Sequence, residues 1–239
     1  MMDVMLTDGE RERYARHLSL PGFGEEAQMR LRRGSVLVIG AGGLGSPVLL
    51  YLAAAGVGRI GIVDGDCVDM SNLQRQVIHT MADVGQPKVL SAANKIQALN
   101  PHVSVETHDM YLTADNASGI MDSYDFVIDA TDSLDIKFMV DDICHRMGKP
   151  YNHGAIGGYE GQTMTVLPGT ARYRDLFPDG ADGVEHAPVT GPLGVVPGIL
   201  GTIQAAEAVK FLSGVGELLT DHLLRFDAQT MAFHTIRLR

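Results

Sequence analysis

Apolar residues change their spacing sharply along this chain. Residues 9 to 33 place apolar positions at roughly helical intervals among charged ones, ending at Arg32-Arg33-Gly34, and read as one or two helices ahead of the core. SVLVIG (35–40) is then a short, wholly apolar, β-branched run, the pattern of a strand buried on both faces of a parallel sheet. Through AGGLGSPVLLYLAAAG the chain passes from glycines into a small-residue helix that closes at Gly56, and RIGIVD (59–64) is a second buried strand. Residues 35 to 64 therefore form a βαβ unit.

The alternation continues. A helix from about 87 to 99 precedes the strand VSVETH, a short helix near 114–122 precedes DFVIDA, and LDIKFMVDDICHRMG is a helix before KPYNHGAI. Strand and helix in turn predict an α/β fold, a Rossmann-like doubly wound sheet that is mainly parallel. After residue 160 the rhythm breaks. GQTMTVLP reads as a strand, 168–200 as a Gly/Pro-rich loop, TIQAAEAVKFLSG as a helix and LLRFDAQTMAFHTIRL as a closing hairpin, a C-terminal antiparallel extension. A structureless loop of that length in a compact domain is either functional or mobile. The expected organisation is one domain over 1–239, with N-terminal helices (9–33), an α/β core (34–160), and a loop, helix and hairpin (161–239).

A chain of 239 residues is long enough for a full-sized core. Its 19 Lys+Arg against 29 Asp+Glu give a net charge of -10, which argues against the broad basic surface of a nucleic-acid binder. Any cations in a pocket must be gathered locally. Cys67 and Cys144 form no CxxC pair, which argues against a disulfide framework and a thiolate zinc site and fits a reducing compartment. Each is expected to be an inert, packed thiol. The N-terminus, MMDVMLTDGERERYARH, is charged where a signal peptide would be apolar, and apolar runs break off short of the ~18 residues a span needs, so a cytoplasmic protein with no membrane association is expected. The nine histidines show no HxH or HExxH spacing, and His186 stands alone; surface or capping roles are expected for them.

Gly40, Gly42 and Gly45 satisfy G-x-G-x-x-G directly between a strand and a helix. Without a Cβ at these positions the turn can tighten and a phosphate can approach the amides of the helix N-terminus. Asp64 ends the next strand, where a carboxylate accepts hydrogen bonds from ribose hydroxyls. Such a loop serves a dinucleotide oxidoreductase equally well, but Arg75 and Lys88, close in sequence to Asp64 and Asp66, add the positive charge that a triphosphate needs. Read one at a time, these two cations also fit a solvated surface. Asp132, in DATDS after the strand DFVIDA, sits where open α/β sheets bind ligands and is a candidate Mg²⁺ ligand; capping the following helix is the alternative use. Asp129 is expected to be buried at the strand end without a chemical role.

RYARH (13–17), GAGGLGS (40–46), DGDCVDMSNLQRQ (64–76), VGQPK (84–88), ATDS (130–133) and GTIQAAEAVK (201–210), in this order, resemble the ThiF, MoeB and HesA family, bacterial relatives of ubiquitin-activating enzymes. The resemblance covers nearly the whole chain. It implies ATP- and Mg²⁺-dependent adenylation of the C-terminal glycine of a small ubiquitin-like sulfur carrier ending in Gly-Gly, with release of pyrophosphate, in thiamine or molybdopterin supply. It implies a nucleotide held by Gly40, Gly42, Gly43, Gly45, Asp64, Asp66, Asn72, Arg75, Gln76 and Lys88, with Asp132 on magnesium. Arg16 would reach the triphosphate from the other subunit of a homodimer. Where relatives carry a zinc-binding CxxC, this chain has Arg172 and Asp175, and it stops at Arg239 before a second pair, so no zinc is expected. Ala187 replaces a cysteine and Ser133 the usual asparagine after the catalytic aspartate. Activation of a peptide C-terminus in natural-product synthesis, and a non-catalytic relative, are the alternatives.

Overall fold

The computed structural model describes residues 5–177 and 191–239. Five strands, β1 (Ser35–Ile39), β2 (Arg59–Val63), β3 (Ser104–His108), β4 (Phe126–Asp129) and β5 (Tyr151–Gly157), run parallel in the order β3-β2-β1-β4-β5. Beyond β5 the sheet continues antiparallel through β6 (Glu160–Val166), β7 (His222–Asp227) and β8 (Ala232–Arg237), making eight strands. The central strands are buried on both faces because alternate side chains serve two separate cores. Val36 and Val38 of β1, with Phe126 and Ile128 of β4, join a cluster with α3 (Gly24–Arg33), α4 (Gly45–Ala55), α5 (Lys88–Leu99) and α9 (Val195–Ser213). Leu37, Ile39 and Val127 point the other way, towards α6 (Ala114–Met121), α7 (Leu134–Met147) and α8 (Tyr173–Leu176). That two-residue period is the reason SVLVI and FVID are apolar throughout.

The N-terminal segment forms three helices rather than one or two: α1 (Asp8–Arg13), α2 (Ala15–Leu18) and α3. The chain breaks before α3 at Pro21-Gly22, where Gly22 adopts φ +78°. α9 begins at Val195, well before the expected TIQAAEAVKFLSG, because Pro197 falls in its first turn, where a missing N–H breaks no intrahelical bond. With α8 also present, the expected loop 168–200 is partly helical; His186 and Ala187 lie outside the described residues. By length and mean hydropathy (1.3), α9 would suffice to cross a bilayer, contrary to the expectation that every apolar run is too short. Here it packs on α4 and carries a buried carboxylate, Glu207, which accepts from Thr165 Oγ1 at 2.6 Å and from the Leu219 amide at 2.8 Å.

Cys144 is buried as expected, whereas Cys67 is exposed, on the segment leaving β2 that bridges to Pro87. His79 and His153 are core residues, not surface or capping ones, because each finds buried partners on neighbouring elements.

Gly201 brings α9 onto α4: a Cβ there would strike the Leu44 carbonyl and come within 2.6 Å of Pro47 Cγ. Glycine to alanine within a helix ordinarily stabilises by about 0.5–1 kcal/mol. At Gly201 the sign is expected to reverse, with Gly201→Ala losing about 1–3 kcal/mol as the helices are forced apart. Chemical denaturation measures this; a gain in stability would contradict the close contact.

Candidate functional site

Because β1 lies between β2 and β4, the crossovers leave its two sides in opposite directions, and a crevice opens at the carboxyl ends of β1 and β4. A cavity of about 480 Å³ occupies that position. Three turns form its floor. The first, after β1, carries Gly40, Gly42 and Gly43 into the N-terminus of α4, whose free amides give it positive character. Gly40 has φ +100°, and a Cβ on it would lie 2.7 Å from the Ala130 carbonyl oxygen. Gly45 is not on the cavity wall; it lies against the Gly40 carbonyl and lets α4 begin there.

The second turn follows β2. Asp64 lines the cavity, and its carboxylate accepts from the Ala41 amide at 2.8 Å and the Asp66 amide at 2.9 Å, so it braces the glycine loop. Asp66 accepts from Lys88 Nζ at 2.8 Å and from the Tyr111 hydroxyl at 2.7 Å, and the hydrogen bond from Lys88 is the main cause that holds its pKa low. Lys88 is only 6% exposed, so its ammonium is aimed into the cavity rather than solvated outside. Arg75 and Gln76 complete this wall; Gln76 is buried and its Oε1 has no hydrogen-bond partner. That orphaned oxygen, with the nearby cations and bare amides, fits a polar occupant.

The third turn, after β4, presents Thr131, Asp132 and Ser133. Asp132 is exposed, and Ser133, not Asp132, is the N-cap residue of α7, without a side-chain cap bond. A free carboxylate on the cavity rim has the oxygen donor that Mg²⁺ prefers. Beneath it Asp129 is fully buried; burial opposes its ionisation, but the Lys137 charge and the hydrogen bond from His153 outweigh that and depress its pKa.

Besides Gly45, two expected site residues stand apart from the cavity. Asn72 Oδ1 accepts from the Asp69 amide at 3.2 Å in a capping box, and Arg16 is exposed on α2, away from the cavity wall of its own chain. Zinc does not fit at Arg172 and Asp175. A guanidinium offers no lone pair to a metal, and Arg172 instead pairs with Asp141 and Asp142 at 2.7 Å each.

Sequence reasoning missed His79, Met110–Leu112 and Lys137. His79 is buried beneath the glycine loop, Nε2–H donating to the Ala41 carbonyl at 2.9 Å and Nδ1 accepting from Ser91 at 2.8 Å; burial lowers its pKa and keeps it neutral. Met110, Tyr111 and Leu112 line the cavity beyond Asp64, on the β3 side. Lys137 had a readable signal: it lies at helical spacing from buried Val140, Asp141 and Cys144.

The arrangement unites a glycine loop with free amides, two cations, Arg75 and Lys88, and the carboxylates of Asp64 and Asp132 on one cavity. The model of the ThiF family matches residues 14–239. The chain belongs to that family. It is 47% identical to the adenylyltransferase and sulfurtransferase MOCS3-1 of Zea mays over 95% of this chain and 49% of that one. It is 45% identical to the sulfur carrier protein adenylyltransferase of Thermus thermophilus, over 98% of this chain and 89% of that one. This ThiF-family chain thus spans about half the length of the first relative and most of the second. The crystal structure of the microcin C7 biosynthetic enzyme MccB in complex with N-formylated MccA shares the fold, with a TM-score of 0.82 at 21% identity over 96% of this chain and 73% of that one.

Asp129, with its depressed pKa, contributes stability that is complete above about pH 4 and is lost as pH falls towards its folded value. Asp129→Asn is expected to be less stable at neutral pH and to show a flatter dependence of unfolding free energy on pH across that acid window. Urea titrations at stepped pH measure it, and parallel slopes for the two proteins would contradict the assignment.

Proposed function

We propose that this chain uses ATP and Mg²⁺ to adenylate the C-terminal glycine carboxylate of a small ubiquitin-like sulfur carrier, releasing pyrophosphate. The observation that carries this reading is the convergence of Arg75, Lys88 and Asp132 with the glycine loop and Asp64 on one cavity. The names of the Zea mays and Thermus thermophilus relatives, an adenylyltransferase and sulfurtransferase and a sulfur carrier protein adenylyltransferase, support the substrate class. The carrier would serve thiamine or molybdopterin biosynthesis, in the cytoplasm.

In this reading the carrier carboxylate attacks the α-phosphorus, a P–O bond forms, and the bond to the pyrophosphate oxygen breaks. Two anions meet in that step. Arg75 and Lys88 reduce their repulsion and hold the departing pyrophosphate, while the loop amides and Gln76 orient the phosphate chain. Lys88 would exchange the Asp66 carboxylate for phosphate oxygens, and Asp66 would keep its bond from Tyr111. Asp64 would take the ribose hydroxyls. Mg²⁺ on Asp132 would neutralise phosphate charge as it develops. No protein nucleophile is required.

Arg16 would act from the second subunit of a homodimer, which accounts for its exposure and its distance from the cavity of its own chain. Asn72 would need to leave its capping box to reach a phosphate. The fold shared with MccB supports activation of another C-terminus by the same chemistry, at much lower identity.

Exchange of labelled pyrophosphate into ATP, with carriers ending in Gly-Gly, tests the activity. Asp132→Ala is expected to lower exchange by about 10²–10³-fold with little change in melting temperature. Background exchange by the wild type with every such carrier would remove the basis of the assignment, as would tighter binding of NAD than of ATP.

The shared site has its own test. Arg16→Ala and Asp132→Ala proteins, each inactive alone, are expected to regain exchange when mixed and allowed to swap subunits, because one site of each hybrid dimer then has both residues. A mixture as inactive as its parts would show that Arg16 does not act across the interface, and a fully active Arg16→Ala protein would place it outside the chemistry.

A further inference from the structure

Lys137 has a position that its own charge disfavours. It lies in the first turn of α7, where the helix dipole repels a cation, and its side chain is 3% exposed, so its ammonium has lost its water. A methionine or leucine would fill such a volume without either cost. What the ammonium gains is three acceptors on three segments. Its Nζ donates to the Thr131 carbonyl at 2.7 Å, to the Gly154 carbonyl on β5, and lies 3.3 Å from Asp129 Oδ2 at the end of β4.

Thr131 is thereby fixed from every side. Asp129 Oδ1 accepts from the Thr131 amide at 3.1 Å and from its hydroxyl at 2.7 Å, while Lys137 holds the Thr131 carbonyl. The residue whose peptide is clamped this way is the one immediately before Asp132, and the carboxylate of Asp132 itself makes no hydrogen bond among the described residues. A carboxylate without side-chain anchors takes its direction from its backbone.

We propose that Lys137 is a positioning residue that fixes the Asp132 carboxylate in the direction needed to hold a divalent cation on the bound triphosphate. The inference rests on the reading of Asp132 as the magnesium ligand. Mg²⁺ demands near-ideal octahedral geometry, so a carboxylate free to swing binds it more weakly. The buried pair also explains why a cation is tolerated one turn from the metal: Asp129 neutralises it, leaving the negative charge of Asp132 uncancelled.

Calorimetric titration of the whole protein with ATP, in EDTA and in Mg²⁺, separates the possibilities without any catalytic turnover. For the wild type, Mg²⁺ is expected to tighten ATP binding, and Asp132→Ala is expected to abolish that gain. If the wild type binds ATP but Asp132→Ala keeps the gain, the reading of Asp132 fails, and the inference with it. If Asp132→Ala behaves as expected, Lys137→Met decides the inference alone. The expected result is a loss of about tenfold in the Mg²⁺-dependent gain, with metal-free ATP binding unchanged within about twofold, and partial recovery in Lys137→Arg. A full gain in Lys137→Met, even with a lowered melting temperature, would show a merely structural lysine and overturn the proposal. Should Lys137→Met not fold, Thr131→Val, which loses only the hydroxyl bond to Asp129, is expected to show a smaller loss of the gain; no loss overturns the proposal equally.

Discussion

The contact on which the site depends is between two stretches of backbone. Gly40, at the end of β1, lies so close to the Ala130 carbonyl at the end of β4 that no side chain fits between them. Adjacent parallel strands set their carboxyl ends side by side, but they do not by themselves press the following turns together. The missing Cβ does. It joins the turn that carries the free amides at the start of α4 to the turn that carries the Asp132 carboxylate, and so fixes the distance between them. Gly45 extends the contact by letting α4 start against the Gly40 carbonyl.

Around that contact, a chain with a net charge of -10 keeps its cations in place with specific anionic partners. Lys88 is held by Asp66, and Lys137 by Asp129. Both lysines are buried, where an unpaired ammonium would be costly, so each needs a carboxylate in the free protein. The two pairs differ in what the carboxylate can do. Asp66 is 49% exposed and also bonded by Tyr111, so water and the tyrosine can satisfy it if Lys88 turns to another anion. Asp129 has no such access, and its pair is permanent. One ion pair is exchangeable and the other structural, and burial of the carboxylate decides which is which.

Much of this could be read in the sequence because its signals are local. Buried parallel strands announce themselves as unbroken apolar runs, and the glycine loop, Asp64 and Asp132 occupy fixed places at strand ends, so β1 to β4 and these parts of the cavity wall followed from spacing, whereas Gln76 came only with the resemblance. The parts that did not follow depend on elements distant in sequence. His79 is explained by Ala41, 38 residues away, and His153 by Asp129, 24 residues away, and neither pairing leaves a motif. The early start of α9 was hidden because Pro197 and Gly198 look like loop residues unless the helix is known to begin there. Arg16 was named only through resemblance, since nothing in its own chain distinguishes it from an ordinary exposed arginine on α2.

Where zinc-binding relatives would place cysteines, the described residues show how a different force does the holding. Arg172 reaches Asp141 and Asp142, and Arg174 pairs with Asp142 at 2.6 Å, tying α8 to the middle of α7. Asp141 is fully buried and also accepts from Tyr151 at 2.6 Å, so this is a network anchored in the core rather than a pair on the surface. This network works only while α7 supplies both aspartates in register. The same helix carries Lys137 and begins beside Asp132. The hold on α8 and the hold on the turn after β4 therefore draw on one element, α7, which takes Arg172 on its buried aspartate and Thr131 on its first-turn lysine.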